Sequence, residues 1–295
     1  MATIQYGWVF LKTATSLTGW VSSRRPCDVR YRGTKSPQVY KPAMRRTDYD
    51  TLAAWYDAPW RTNVPADAIL GERLKASTQK PFRVLDVGCG TGAWLLSQSR
   101  AYAGTPAEFH GIEPSAGMLA IARKKGIPAE LAQAGAEKIP YDDARFDFII
   151  TRLAYHHFED KTKAFDEIVR VLINGACFVI SDMVPERMPD WVIYQFFPEA
   201  YLLDQERFLP LEQLQSELER RGCAVAIEMK RSEQKVDWKF VLMMAEGRGT
   251  SSLQILTDAE YQAGLRRVRE EMARDPGRVI VDGNYAGNLV ATKRV

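Results

Sequence analysis

Nine residues constrain this 295-residue chain more than any others: Val84-Leu85-Asp86-Val87-Gly88-Cys89-Gly90-Thr91-Gly92. Aliphatic residues run into an acid, and glycines then recur at every second position. A strand that ends this way must turn sharply, because glycine accepts positive φ readily and lets a ligand approach bare backbone. Ala93-Trp94-Leu95-Leu96 then opens a helix whose first amides lack intrahelical partners and face the same ligand. The stretch reads as a strand, a glycine loop and a helix that together cradle a cofactor.

Gly88-x-Gly90-x-x-Ala93 satisfies the G-x-G-x-x-G/A pattern of dinucleotide-binding folds. Asp86 argues against that reading. A carboxylate two positions before the first glycine repels a pyrophosphate and suits a ligand that carries an ammonium group and a sulfonium. Gly92 opens room for a methionine-like tail in place of phosphates. With its acid-x-Gly-x-Gly-x-Gly order, the stretch resembles motif I of the class I S-adenosylmethionine (SAM) methyltransferases.

Later segments extend the resemblance from about Tyr49 to the C-terminus. Phe109-His110-Gly111-Ile112-Glu113 reads as a second strand ending in an acid, at the spacing of the ribose-binding acid in βαβ cofactor folds. A carboxylate there can accept both ribose hydroxyls. Pro114 to Met118 opens a helix, and Met118 either packs on adenine or fills core. Gly135-Ala136-Glu137-Lys138-Ile139-Pro140-Tyr141 and Phe146-Asp147-Phe148-Ile149-Ile150 are similar to two family blocks that flank adenine. Gly135 departs from the acid that many relatives carry there, which leaves adenine recognition to the backbone of Ala136 and Glu137 or to Gln133.

Alternating strands and helices predict an α/β fold with a doubly wound, mostly parallel sheet. The resemblance makes it the seven-stranded, Rossmann-like class I methyltransferase sheet, with a terminal antiparallel strand at 287–293 and helical lid additions. Tyr49 to Leu74 reads as helical. Ala164, Phe165, Ile168, Val171 and Leu172 form the apolar stripe of a helix that stops near Gly175, and Ala176–Ile180 reads as the fifth strand. Leu211, Leu214 and Leu218 mark another helix, followed by a sixth strand over 224–228. Helices are predicted over 237–247 and 257–274, the second opened by the capping box Thr257-x-x-Glu260. We place an N-terminal extension at 1–46 and the methyltransferase domain at 47–295. Its cofactor half spans about 80–183, and its lid segments span about 47–79, 184–215 and 236–284.

Charge is distributed unevenly. Residues 1–46 hold nine Lys/Arg and one acid, Asp28, against a net charge of +3 for the whole chain, so the rest is net acidic. An acidic body is poor material for binding a phosphate backbone, and no nucleic-acid partner is expected. The basic segment reads as a transit peptide, as sequence upstream of a true start at Met44, or as a disordered arm, the first two being preferred. Four scattered cysteines without a C-x-x-C pair argue against a zinc site and for a reducing compartment. That compartment is the cytoplasm, or an organelle stroma or matrix if residues 1–43 are a transit peptide. No apolar run is long enough to span a bilayer.

The resemblance assigns SAM contacts to Tyr56, Asp86, Gly88, Cys89, Gly90, Gly92, Glu113, Pro114, Met118, Ala136, Glu137 and Thr151, and it implies no metal. It also limits the acceptor. Thr151-Arg152-Leu153-Ala154 replaces the Asn/Asp-Pro-Pro-Tyr/Phe tetrad of enzymes that methylate nucleobase amines. Cys177 lies within a strand, where a thiol is usually inert. Asp182 stands without the clustered carboxylates of metal-dependent relatives. His156 and His157 either pack the loop after strand four or supply a general base, for which His157 is the choice. The aromatic run from Trp191 to Tyr201 either walls an apolar acceptor or forms the core of a capping helix. The expected activity is methyl transfer from SAM to a small apolar or aromatic molecule. The rivals are RNA or protein methylation and a non-catalytic SAM-binding subunit.

Overall fold

Strands alternate with helices because their apolar residues alternate between two faces, each of which must be covered. The computed structural model describes residues 45–57, 64–78 and 81–295. The readings proposed for the N-terminal extension fall on residues 1–44, outside the described residues.

Strands β1 (Phe82–Val87), β2 (Ala107–Ile112), β3 (Ala129–Ala132), β4 (Phe146–Arg152), β5 (Leu172–Met183), β6 (Cys223–Val236) and β7 (Ile280–Lys293) form one sheet in the order β3-β2-β1-β4-β5-β7-β6. The first five run parallel, and β7 runs antiparallel to both neighbours. Parallel strands need crossover helices, and these are α3 (Ala93–Ala101), α4 (Ala116–Lys124) and α5 (Lys161–Val171). On one face Leu85, Ile149, Phe178 and Leu289 pack on Phe165 and Ile168 of α5 and on Leu214 and Leu218 of α8 (Leu211–Glu219). On the other face Val84, Phe148, Ile150 and Val179 pack on Trp94 and Leu95 of α3 and on Leu70 of α2 (Ala68–Ala76).

Four predicted boundaries are corrected. Among the described residues, the helical stretch expected from Tyr49 to Leu74 is interrupted: α1 (Tyr49–Tyr56) ends before Asp57, and the Asp67 carboxylate accepts the Leu70 amide at 3.0 Å and starts α2 afresh. The helix expected to reach Gly175 ends at Val171, and Leu172 pairs with Phe146 as the start of β5. An irregularity follows, since the next pair is Phe148 with Cys177. Strand β3 has no counterpart in the sequence reading. Strands β6 and β7 are much longer than predicted.

That extra length positions the cap. Met183, the last residue of β5, pairs with Ala286, whereas β6 and β7 continue pairing out to Val236 and Ile280. The ribbon of 231–236 and 280–285 thus projects past the carboxyl edge of the parallel strands, the edge that carries the glycine loop. It bears α9 (Trp238–Glu246), α10 (Ser251–Gln254) and α11 (Asp258–Arg274), which join α6 (Val192–Phe196) and α7 (Pro198–Arg207) around a second core. The predicted capping box is present at the start of α11.

Candidate active site

The glycine loop leaves β1 and is stitched to its neighbour strand. The amides of Gly88 and Cys89 both donate to the Ile112 carbonyl, at 2.9 and 3.0 Å. Gly88 (φ +77°) also lies against the loop after β4, where a Cβ would come within 2.8 Å of the Ala154 methyl. Gly90 (φ +56°) faces open space, with no heavy atom within 4 Å of where its Cβ would stand. Its amide donates to Glu113 Oε2 at 2.9 Å, while the Ser115 amide donates to Oε1 at 2.9 Å. Burial raises the Glu113 carboxyl above its usual value, the two amides only partly opposing the shift, and their hydrogen bonds fix it as an acceptor at the lip of the open loop. Each of its oxygens retains a further lone pair. Gly92 caps the N-terminus of α3, and burial holds the Cys89 thiol in its protonated form.

Asp86 lies under this loop and is 2% exposed. Burial pushes its carboxyl up to about 7, the Arg152 charge opposes that shift, and Glu113 adds to it. Thr151, the penultimate residue of β4, is fully buried, and its hydroxyl has no hydrogen-bond partner among the described residues. Leu153 comes next with φ +50°, a left-handed conformation that is costly for a branched side chain, and it is 47% exposed. An apolar side chain thus stands in the open at the end of β4.

The predicted adenine contacts are more dispersed. Pro114 is exposed, whereas Met118 is 1% exposed and Ala136 5%. Glu137 turns its carboxylate away to accept the amides of Glu159 and Asp160 at 2.7 and 3.3 Å, which leaves its backbone for a ligand. Gln133 donates to the Pro114 carbonyl at 3.1 Å.

Helix α1 straps the site along one side. Tyr49 hydrogen-bonds His157 Nε2 through its hydroxyl at 2.7 Å. Asp50 accepts the Ser115 hydroxyl at 2.6 Å and the Gly117 amide at 2.7 Å, which holds its carboxyl below the usual range. Asp57 accepts the Thr91 hydroxyl at 2.6 Å and pairs with Lys125 at 2.7 Å. Tyr56, at the end of the strap, faces Arg152 electrostatically. The sequence reading noted the pairs Tyr49-Asp50 and Tyr56-Asp57 but not that both acids tie the strap down.

The histidines differ in setting. His156 is 5% exposed, stacks on Phe208 with ring centroids 4.2 Å apart, and contacts Asp182 at 3.2 Å through Nδ1. Burial pushes Asp182 up to about 8 and His156 well below its usual value, so the pair is neutral near pH 7. His157 is half-buried, and burial with the charges of Arg207 and Lys161 also draws it down.

The aromatic run after β5 goes to the cap. Trp191, Tyr194, Phe196 and Phe197 are each at most 6% exposed and pack with Trp238, Tyr261 and Leu265. Of the two roles open to this run, these four side chains take that of core.

Comparison with known proteins places the architecture. Residues 85–180 match the methyltransferase domain family. The chain is 33% identical over 135 residues to a demethylmenaquinone methyltransferase of Chlorobaculum tepidum, covering 45% of this chain and 53% of that protein. It is 35% identical over 119 residues to the uncharacterized methyltransferase YcgJ of Bacillus subtilis, covering 38% and 46%. The chain thus spans about half the length of the curated relatives it matches. The crystal structure of YcgJ superposes with a TM-score of 0.54 at 23% identity, over 77% of this chain and 98% of that one. The [4+2]-cyclase SpnF superposes with a TM-score of 0.50 at 22% identity, over 81% and 85%. These structural likenesses show the fold, and the proteins' names differ in chemistry, as expected when one fold hosts several reactions. The matched domain, the strand order and the glycine loop agree: residues 85–180 match a methyltransferase domain, set in a sheet of the Rossmann-like class I methyltransferase order.

Proposed function

We propose that this protein transfers a methyl group from SAM to a small apolar or aromatic molecule. The observation that carries the reading is the fixed Glu113 carboxylate beside the open face of Gly90. The residues fit the cofactor on three counts. Glu113 has lone pairs left for two ribose hydroxyls, Asp86 offers a carboxylate to an ammonium, and the orphaned Thr151 hydroxyl gains a partner. Backbone at Gly88, Cys89, Gly90 and Gly92 lets the ligand lie close, with Pro114, Met118, Ala136 and Glu137 on the adenine side and Tyr56 on the strap.

Bound SAM supplies an electrophilic methyl carbon on a sulfonium. The chain's own part is to align an acceptor with that carbon and exclude water. Leu153 presents an apolar surface beside the loop, which suits a lipophilic acceptor. The demethylated quinone in the name of the Chlorobaculum tepidum relative is of that class. Where the acceptor must lose a proton, His157 is the proposed base. Its Nε2 is the atom to which the Tyr49 hydroxyl is bound, so an acceptor hydroxyl either displaces Tyr49 or passes its proton through it.

Titration calorimetry with SAM and S-adenosylhomocysteine tests the cofactor claim, and absence of binding refutes it. Glu113→Ala is expected to weaken binding by about 1.5–3 kcal/mol, the worth of hydrogen bonds to a charged group. A mass-spectrometric screen of methyl acceptors then tests the acceptor class. His157→Ala is expected to lower turnover with SAM affinity unchanged, and unaltered turnover removes that residue from the mechanism.

A further inference from the structure

A column of rings leads inward from the strap. Ring centroids are 5.1 Å apart for Tyr49 and His157, 4.0 Å for His157 and His156, and 4.2 Å for His156 and Phe208. A cation stands beside each end of the histidine pair. Lys161, the first residue of α5, donates through Nζ to the carbonyl of Phe158, the residue after His157, at 3.2 Å. Among the described residues that is its one hydrogen bond and it pairs with no carboxylate, so two of its three donors are left over. Arg207, the last residue of α7, immediately precedes Phe208 and is 4% exposed. One terminal nitrogen donates to Asp204 and to the Ser251 hydroxyl, but its Nε is buried with no partner among the described residues. A buried donor left unmatched costs free energy until an acceptor reaches it.

The acids around these two cations cancel only part of their charge near pH 7. Asp204 offsets Arg207. Asp182, pushed up to about 8 by burial, is protonated, and the Glu137 carboxylate that acts on Lys161 is already held by the amides of Glu159 and Asp160. Resting on the reading of this protein as a methyltransferase of apolar or aromatic molecules, we infer that its acceptor carries an acidic hydroxyl, a phenol or an enol, held as the oxyanion beside His157 with Lys161 and Arg207 as its counter-charges. The positive field that keeps both histidines neutral favours an oxyanion for the same reason. The acceptor's O–H bond breaks and its proton leaves through His157 Nε2 to solvent. Its oxygen then forms the new bond to the methyl carbon with the electron pair it already holds, and sulfur keeps the pair of the broken C–S bond. An aliphatic alcohol holds its proton too tightly to gain from this field, and an ammonium is repelled by it. A carboxylate elsewhere on the acceptor has the same chemistry and is the alternative source of the anion.

The probe is 4-nitrophenol, whose phenolate is coloured and whose phenol is not, added to the full chain saturated with S-adenosylhomocysteine. Bound 4-nitrophenol is expected to ionise about one pH unit lower than in buffer, a tenfold preference for the oxyanion. Lys161→Met is expected to return most of that shift with S-adenosylhomocysteine affinity unchanged, and Lys161→Arg, which keeps the charge, is expected to retain it. Ionisation of the bound probe at its solution value overturns the inference without needing a variant to fold. A full shift in Lys161→Met overturns the part given to that residue. Two further probes separate the sources of the anion: 4-nitrobenzoate, a permanent anion, and 4-nitrobenzyl alcohol, its neutral counterpart. Tighter binding of the benzoate with no shift of the phenol assigns the cations to a carboxylate and overturns the acidic hydroxyl. If S-adenosylhomocysteine binds and none of the three probes does, the acceptor class proposed above fails and takes this inference with it; if S-adenosylhomocysteine does not bind, the SAM reading fails first.

Discussion

The sheet edge and the helical cap treat buried charge in opposite ways. In the cap, Asp204 is fully buried, yet it receives the Arg207 guanidinium on one oxygen and the Tyr194 hydroxyl on the other at 2.8 Å. At the sheet edge, Asp86 is almost as buried and accepts no hydrogen bond among the described residues, and burial pushes its carboxyl up to about 7. A buried polar group that is met by its own protein specifies structure, whereas one left waiting marks where something else binds. Both regions keep an orphaned polar atom among the described residues, Thr151 Oγ1 at the edge and Arg207 Nε in the cap, so the contrast rests on how the two buried carboxyls are held.

The largest expected effect falls in the cap. Asp204→Ala strands the Arg207 charge and is expected to cost about 3–5 kcal/mol in a denaturant melt, with no change in S-adenosylhomocysteine affinity of the folded protein. Asp86→Asn is expected to act with the opposite sign. The Asp86 carboxyl titrates at about 7 in the folded chain and near the ordinary aspartate value when unfolded. The folded state therefore holds its proton more tightly, and stability is lost as pH rises from about 4 to 7. Removing the charge should stabilise the protein by about 2–4 kcal/mol at pH 8 and abolish tight cofactor binding. Equal signs for the two variants would erase the contrast.

The same carboxyl predicts a pH dependence of binding. An ammonium needs the ionised form, so S-adenosylhomocysteine affinity in the wild type should fall by up to about tenfold per unit as pH drops below about 7. A flat profile between pH 5.5 and 8 would detach Asp86 from the ligand. The smallest expected effect is again in the cap. Thr257→Ala breaks the capping box of α11, in which Thr257 and Glu260 exchange hydrogen bonds, and should cost about 1 kcal/mol.

Features encoded locally were readable from the sequence. Strands β1, β2 and β4 announce themselves by apolar runs, and Asp86, the glycines and Glu113 lie in short stretches with fixed spacing. Strand β3, Ala129-Glu130-Leu131-Ala132, has too little apolar character to register without its neighbour β2. The outer parts of β6 and β7 were missed for a different reason. Strand β6 is a sheet edge whose residues 228–235 are mostly exposed and charged, so no burial pattern repeats along it. The strap contacts of Asp50 and Asp57 join residues far apart in the chain. Only the folded strand order brings them together.

Val236 and Ile280 face each other as the last pair of the β6–β7 ribbon. The helices between them therefore leave and rejoin the sheet at a single point. Such an insertion can lengthen, shrink or be exchanged without altering the register of any strand that carries the glycine loop. The strand register that places Asp86 and Glu113 is therefore set independently of the helices carried between Val236 and Ile280.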